Sequence, residues 1–304
     1  MASAANVMPT QGEVGAALRV KRRTPLGDAI RTLRQKPVAM LGLGILFAWF
    51  ALAVLAPVLP LEAQDGRVYV ENKLLSPSSD HWFGTDDVGR DILSRVIFAA
   101  RVTVPAGFIV VFFAMTIGCL LGAISGYLGG VIDAVIMRAC DAVLSFPSII
   151  LAMAIAAIRG EPSLQNAMLA VVVVLWPEYA RLMRGQVLAI RLNEYVTAAE
   201  SIGASRSRVM FRHIIPSADA PIVVKATLDV GAAIVLTAGL SFIGLGAVPP
   251  TAEWGSMVSQ GSKIGVQYWW YHTFPGLAIV TVVMALSFFG DGLRDALDPK
   301  RRAR

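Results

Sequence analysis

Long apolar runs alternate with short polar segments along this chain. Residues 38 to 59 carry no charged side chain, and the later runs cover residues 102–126, 131–158, 164–190, 217–246 and 273–293. A helix needs about 20 residues to cross the hydrocarbon core of a bilayer, and every run reaches that length. The pattern therefore predicts an all-α integral membrane protein with six transmembrane helices.

The composition supports this interpretation, because 56% of the 304 residues are hydrophobic and only 16% are charged. The net charge is +6, but the basic residues lie in the short segments between apolar runs. A nucleic-acid-binding protein would carry them on a water-soluble surface, so nucleic acid is not a predicted partner. Cys119 and Cys140 fall inside apolar runs, which favours buried thiols over a disulfide. The first run follows a long polar stretch, which indicates a retained anchor rather than a cleaved signal peptide.

Lysine and arginine are distributed unevenly between the two sides of the predicted bundle. With the N-terminus inside, 19 of the 27 basic residues fall on the cytoplasmic side and 7 on the outer side. The positive-inside rule therefore predicts cytoplasmic termini, with residues 1–37 and 294–304 as basic tails.

Within the first tail, residues 1–17 are predicted to be disordered. Leu26, Ile30 and Leu33 share one helical face, so this segment is predicted to lie along the membrane surface. A solvated basic tail is the alternative.

A polar and basic segment, residues 194–216, separates the fourth and fifth runs. Asn193 and Ser205 are good N-cap residues, Gly203 suits the left-handed turn after a helix, and Pro216 ends the segment. Small and basic residues around the turn would let another protein approach the backbone: Ala198, Ala199, Gly203, Arg206, Arg208 and Arg212. The segment is a candidate docking element, and an ordinary cytoplasmic loop is the alternative.

The stretch TAAESIG, followed after nine residues by HIIP, resembles the EAA loop of ABC importer permeases. Ala198, Ala199, Gly203 and Pro216 match that pattern, whereas Thr197 stands where the pattern has Glu. The pattern continues after Gly with nine residues, an Ile, one further residue and Leu-Pro. His213 stands in place of that Ile, and Ile215 in place of the Leu. In that family the loop is a cytoplasmic coupling helix that docks on an ATPase, which gives Thr197, Arg206, Arg208 and Arg212 a predicted role in coupling.

Two longer stretches are similar to the second permease of dipeptide, oligopeptide and nickel importers. They are HWFGTDDVGRDILSRVIFAARVT at 81–103 and LSFIGLGAVPPTAEWGSMVSQG at 240–261. The signature residues on the predicted outer side are Gly84, Thr85, Asp86, Gly89, Arg90, Asp91, Trp254 and Gly255. The resemblance implies a type I ABC importer permease with its five-helix core at residues 102–293.

The residues of these stretches also have a direct physical interpretation. Gly84 and Gly89 bracket an acidic turn, and the apolar stripe that starts at Ile92 predicts an outer interfacial helix within residues 60–101. The nearby aspartates and His81 favour turn and N-cap chemistry over a metal site. Five aromatic residues suit the outer headgroup belt, on a surface that is also a candidate for a delivery protein: Trp254, Tyr268, Trp269, Trp270 and Tyr271.

Four ionisable residues lie well inside the apolar runs, where charge is costly. Asp141 is three residues from Arg138, and Lys225 is four residues from Asp229, so pairing is favoured over contact with substrate. The predicted pathway residues are Glu178, Asp229, Thr237 and Ser241.

The leading hypothesis is a permease subunit that takes up dipeptides or oligopeptides with ATP hydrolysed elsewhere. No Walker A sequence occurs, so the chain is not predicted to be an enzyme or to bind a cofactor or metal; ATP and Mg belong to partners. The resemblance implies a paralogous permease in a heterodimer, two cytoplasmic ATPase subunits, an extracytoplasmic substrate-binding protein and the bacterial inner membrane.

The alternatives are a permease for nickel or another small ligand, and a self-sufficient secondary transporter. The chain lacks the inverted repeat expected of the latter. A Ser/His hydrolase is disfavoured because His81, His213 and His272 all lie outside the predicted spans.

Overall fold

The computed structural model describes residues 25–61 and 68–297, and this part of the chain is helical with no strand. The predictions for residues 1–17 and the end of the C-terminal tail lie outside the described residues. The helices are α1 (Pro25–Arg34), α2 (Pro37–Leu55), α3 (Ile92–Leu128), α4 (Gly130–Leu144), α5 (Ser148–Ile158), α6 (Leu164–Ile190), α7 (Glu194–Ser201), α8 (Arg206–Val209), α9 (Asp219–Ile243), α10 (Trp254–Ile264) and α11 (Trp269–Leu297).

Five helical segments of the described chain are long and apolar enough to cross a membrane, and a sixth crossing results if α4 and α5 form one bent span. The axes of α4 and α5 differ by 94°. The break falls at Ser145–Pro147, where a proline precedes the new helix and disfavours helical geometry in the residue before it. The predicted third span, residues 131–158, is therefore broken rather than straight.

Helix α3 differs from the prediction at its start. It runs without interruption from Ile92 to Leu128, so the predicted interfacial helix and the second span are one element. Asp91 caps its N-terminus by accepting a hydrogen bond from the Ser94 amide at 2.7 Å. Pro177 likewise lies inside α6, which runs without interruption from Leu164 to Ile190, so the proline does not break the helix beside Glu178.

The centre of the bundle is the contact between α3 and α6. Gly118, Gly122 and Gly126 are spaced one turn apart on α3, and a side chain at any of them would meet α6. At Gly122 the obstacle is the backbone of Ala180. Small residues let helices approach closely in lipid, where apolar burial alone gives no drive for association.

Helices α2 and α11 form the second main contact. Gly42 faces the backbone of α11 near Ala285, and the Trp49 indole donates to Thr281 Oγ1 at 3.1 Å. Lys36, just before α2, pairs with Asp295 near the end of α11. Helix α2 is thereby fixed along one side of the bundle.

Candidate functional site

The EAA-like loop, residues 194–216, folds as a helix, a tight turn and a second short helix. Gly203 has φ of +83°, the left-handed geometry expected of a glycine after a helix. Asn193 and Ser205 occupy the two N-cap positions, but neither side chain makes a capping hydrogen bond. The second helix passes into a π-helical turn at Met210–Ile214 and a 3-10 turn at Ile215–Ser217, which includes Pro216.

Most of the predicted docking residues lie on the surface of this loop. The exposed ones are Thr197, Ala198, Gly203, Arg206, Arg208, Arg212 and Pro216. Ala199 is buried against the body of the chain, with 8% exposure, so the prediction that it faces a partner is wrong. It belongs with Val196, Val209 and Ile214, the apolar residues that hold the loop down.

The sequence interpretation missed the apolar residues that the loop exposes. Ile202, next to the Gly203 turn, is 87% exposed, and Leu192 is 78% exposed. Phe211 is also exposed. The sequence did contain a signal for this exposure. Ile202 stands between the end of a helix and a glycine turn, so it is outside the helical repeat that would place it on a buried face.

Three hydrogen bonds connect the loop and the end of α6 to neighbouring elements. Tyr127 near the end of α3 donates to Glu200 at 2.9 Å, and Arg191 donates to the Gly126 carbonyl at 3.2 Å. Tyr195 meets Ser217 at 3.2 Å, just before α9. These contacts connect the loop to α3 and to the residues just before α9.

A second polar cluster joins α6 to α9. The Lys225 ammonium lies 2.6 Å from Glu178 and 3.0 Å from Asp229, and it sits 5.3 Å from the centre of the Tyr179 ring. The predicted pairing of Lys225 with Asp229 is present, and Glu178 is a further partner that sequence spacing did not indicate. The cluster borders a cavity of about 650 Å³ that Arg294 also lines.

Thr237 and Ser241 lie further along α9 with a different environment. Both are 2% exposed; the Thr237 hydroxyl donates to the Ala233 carbonyl, and Ser241 accepts from the Ala247 amide. Their polar atoms are satisfied within the chain. Neither reaches an open surface of the described chain, as a residue lining a pathway would have to.

Two ion pairs fasten α4 to the antiparallel α6. Arg184 donates to both oxygens of Asp133, at 2.6 and 2.7 Å, and Arg181 reaches Asp141 at 2.5 Å. The predicted partner of Asp141, Arg138, is 3.9 Å away and almost fully exposed. The stronger partner of Asp141 therefore lies on another helix.

The first signature stretch folds around a buried carboxylate. Asp86 is fully buried, contacts Arg90 at 2.7 Å and also pairs with Arg95. Thr85 bonds to the backbone at Asn72 and Leu75, and Gly84 and Gly89 have positive φ. Asp86 also accepts from the amides of Val88 and Arg90 at 3.0 and 2.9 Å, so it closes the turn as well as pairing with the two arginines.

The second signature stretch packs against the first. The Trp254 indole, fully buried, donates to the Val96 carbonyl at 2.9 Å, while Gly255 lies against the Ala238 backbone. Trp270 and Tyr271 are buried too, so the prediction that these three aromatics form a headgroup belt is wrong. Trp269, half exposed, fits that belt.

Glu253 caps α10 in the same region. Its carboxylate accepts from the amides of Gly255 and Ser256 at 2.9 and 2.8 Å. Burial raises the pKa of this carboxyl above its usual range, and these two hydrogen bonds oppose the shift. The same carboxylate accepts from the Thr103 hydroxyl on α3 at 3.4 Å, so hydrogen bonds join the two signature stretches.

Helical spans, a broken pair and a surface loop between two spans define a polytopic membrane protein. In fold, the chain is similar to one of the methionine ABC transporter MetNI solved in inward-facing conformations, with TM-score 0.52 and 19% identity, over 68% of this chain and 98% of that one. This likeness gives the type I ABC importer permease fold.

The family follows from two family models. The binding-protein-dependent transport system inner membrane component matches residues 118–303, and the N-terminal TM domain of oligopeptide transport permease C matches residues 24–77. The chain belongs to this family of multi-pass inner-membrane permease subunits of ABC importers. Such a subunit is not an enzyme, and ATP hydrolysis resides on separate ATPase subunits.

Curated relatives cover nearly the whole chain. The probable D,D-dipeptide transport system permease protein DdpC of Escherichia coli is 44% identical, over 95% of this chain and 97% of its own. The dipeptide transport system permease protein DppC of Alkalihalophilus pseudofirmus is 43% identical, over 92% and 91%. The glutathione transport system permease protein GsiD of Pectobacterium atrosepticum is 41% identical, over 92% and 93%.

Proposed function

We propose that the chain is the second permease subunit of an ATP-driven importer of short peptides. The ligands named for its relatives, dipeptides and glutathione, share a peptide backbone with a free carboxylate. We expect a paralogous permease to complete the pathway and two ATPase subunits to bind ATP and Mg. An extracytoplasmic binding protein would deliver the ligand.

The proposed orientation places both termini and the EAA-like loop in the cytoplasm. The excess of basic residues on that side, 19 against 7, supports it. The signature stretches then lie at the extracytoplasmic end, where they act as a rigid support. Trp82, 69% exposed beside this support, offers an apolar contact for the binding protein.

The coupling role is carried by one observation, the exposure of Ile202 at the Gly203 turn. Ile202 is 87% exposed, and Phe211 of the same loop is exposed too, so we infer that a pocket on another protein covers this apolar surface. Arg206 and Arg208, exposed three and five residues after Gly203, suit an acidic rim on that protein. ATP-driven closure of the ATPases would then move α3 and α9 through the bonds at Tyr127, Arg191 and Tyr195.

The pathway is proposed to run past α6 and α9 at the level of Glu178 and Asp229. The support is that the cluster with Lys225 is only partly buried and borders the 650 Å³ cavity. Thr237 and Ser241 are left out of this wall because their side chains are buried. Movement of α6 against α9 would separate the charges and change the polarity of the cavity.

The test is uptake into proteoliposomes that contain the chain, its paralogous permease and the ATPases. A radiolabelled dipeptide is presented with the binding protein outside and ATP inside. ATP-dependent accumulation that unlabelled peptide abolishes and nickel leaves unchanged supports the proposal. Competition by nickel alone, or accumulation without ATP and ATPases, would instead indicate a metal importer or a secondary transporter.

A further inference from the structure

Arg101 differs from the other arginines near its end of the bundle. Arg90 and Arg95 bind Asp86, and Arg159 donates to Asn166 at 3.1 Å. The exposed Arg101 side chain makes no hydrogen bond or ion pair with any residue in the described ranges 25–61 and 68–297. On the membrane-spanning helix α3, a guanidinium without a partner among the described residues is a candidate to contact an anionic group.

The position of Arg101 along α3 places it at the level of lipid headgroups. Tyr127, which binds the EAA-like loop, is 26 residues further on, so the two residues are about 39 Å apart along the helix axis. A bilayer with its headgroup layers is about 40–45 Å thick. Arg101 therefore lies near the membrane surface opposite the EAA-like loop.

An apolar groove of about 290 Å³ opens beside the guanidinium, between α2 and α3. Its lining consists of Trp49, Phe50, Ala53, Val54, Ala100, Arg101, Val104 and Pro105. Phe50 and Val54 are 64% and 58% exposed, so the groove is open along its side. An acyl chain has the shape and polarity that such a groove accepts.

The backbone at Arg101 adds a second polar atom. Pro105, four residues later in the same helix, has no amide hydrogen, so the Arg101 carbonyl lacks its usual helical partner. The Arg101 guanidinium and a carbonyl that lacks its usual i+4 donor therefore belong to one residue of the groove lining. A phospholipid headgroup can satisfy both, with its phosphate on the first and an ammonium or hydroxyl group on the second.

We propose that this groove is a binding site for one phospholipid, whose phosphate contacts Arg101 and whose acyl chain lies between α2 and α3. A lipid fits better than a protein, because α2 is apolar around its whole circumference and offers no acidic partner. Only about a tenth of its most apolar stretch is buried in the bundle. This inference does not depend on the ligand that the transporter carries.

The test uses the assembled transporter in nanodiscs of phosphatidylethanolamine and phosphatidylglycerol, doped with a phospholipid that carries a diazirine on its acyl chain. Labelled peptides are mapped by mass spectrometry. Labelling of the Trp49–Val54 and Ala100–Pro105 segments is expected, and Arg101→Gln should reduce it roughly tenfold, the equivalent of one charge-assisted hydrogen bond. Arg101→Lys should retain most of it, and Ala53→Phe, which fills the groove, should abolish it.

Arg159→Gln is the matched control, since it removes an arginine from the same end and should leave the labelling unchanged. Each variant is first shown to elute as the assembled complex. Equal labelling of Arg101→Gln and the parent protein would overturn the proposal. So would a photo-crosslinking amino acid at Phe50 that captures a partner subunit instead of lipid.

Discussion

Replacement of Ile202 by alanine tests whether the EAA-like loop docks through its apolar tip. The side chain is 87% exposed in the free subunit, so its truncation removes almost no contact within the chain. The thermal midpoint of the purified subunit should therefore stay the same. Any loss of affinity for the ATPase would come from the docked state alone.

The expected loss follows from the apolar surface that docking would cover. Each buried methylene-sized group contributes about 0.8 kcal/mol, so the three carbon atoms lost from isoleucine amount to about 2.4 kcal/mol if docking buries them fully. Since 1.4 kcal/mol is a factor of ten, the dissociation constant should rise by up to roughly 50-fold. Gly203 is a poorer target, because any side chain there strains a backbone with φ of +83°.

The assay is binding of isolated ATPase subunits to nanodiscs that hold this chain and its paralogous permease. Ile202→Ala should weaken ATPase binding to this chain and leave ATPase binding to the paralogous permease unchanged. Ile158→Ala is the matched control, because Ile158 is 85% exposed at the opposite end of the bundle. An unchanged affinity for Ile202→Ala, or an equal loss in both variants, would refute docking through this tip.

Three further predictions concern the body of the protein. Gly122→Ala should lower the thermal midpoint by the equivalent of about 1–3 kcal/mol, because its new methyl group meets the Ala180 backbone; Gly185→Ala, with open space around it, should not. Lys225→Met should destabilise the bundle by leaving two carboxylates unpaired, and a second change, Asp229→Asn, should restore part of the loss in the same melting assay. The raised pKa of Glu253 means that the native state holds this proton more tightly than the unfolded chain, so stability falls as pH rises above the ordinary value of 4.5. Glu253→Gln should flatten that part of the plot of melting temperature against pH, and an unchanged slope would contradict the assignment.

Local features of the structure could be predicted from the sequence. The length of the apolar runs indicated the spans, and glycine's freedom at positive φ indicated the turns at Gly84, Gly89 and Gly203. The partners across helices could not be predicted. Arg184 and Asp133 are 51 residues apart, and nothing in their local spacing favours this pairing over Arg184 with Asp141 or Arg181 with Asp133.

The errors over the aromatic residues have a common physical cause. In water, an apolar side chain signals the interior, but inside a bilayer both the lipid and the protein interior are apolar. Hydrophobicity therefore cannot distinguish Trp254, which is fully buried, from Trp269, which is half exposed. The better signal for packing is small size, as shown by Gly118 and Gly122 at the contact of α3 with α6.

Outside the bilayer, apolar side chains are again expected to be buried. An apolar side chain that the EAA-like loop leaves exposed is therefore informative about docking. Within the loop, Val196, Ala199 and Val209 are buried as their spacing requires, whereas Ile202 points away from the chain. Such exposure has no stabilising role in the isolated subunit, because water around an isoleucine is unfavourable. We propose that the ATPase covers this side chain, so the docking tip is best sought at Ile202 rather than among the residues that match the EAA pattern.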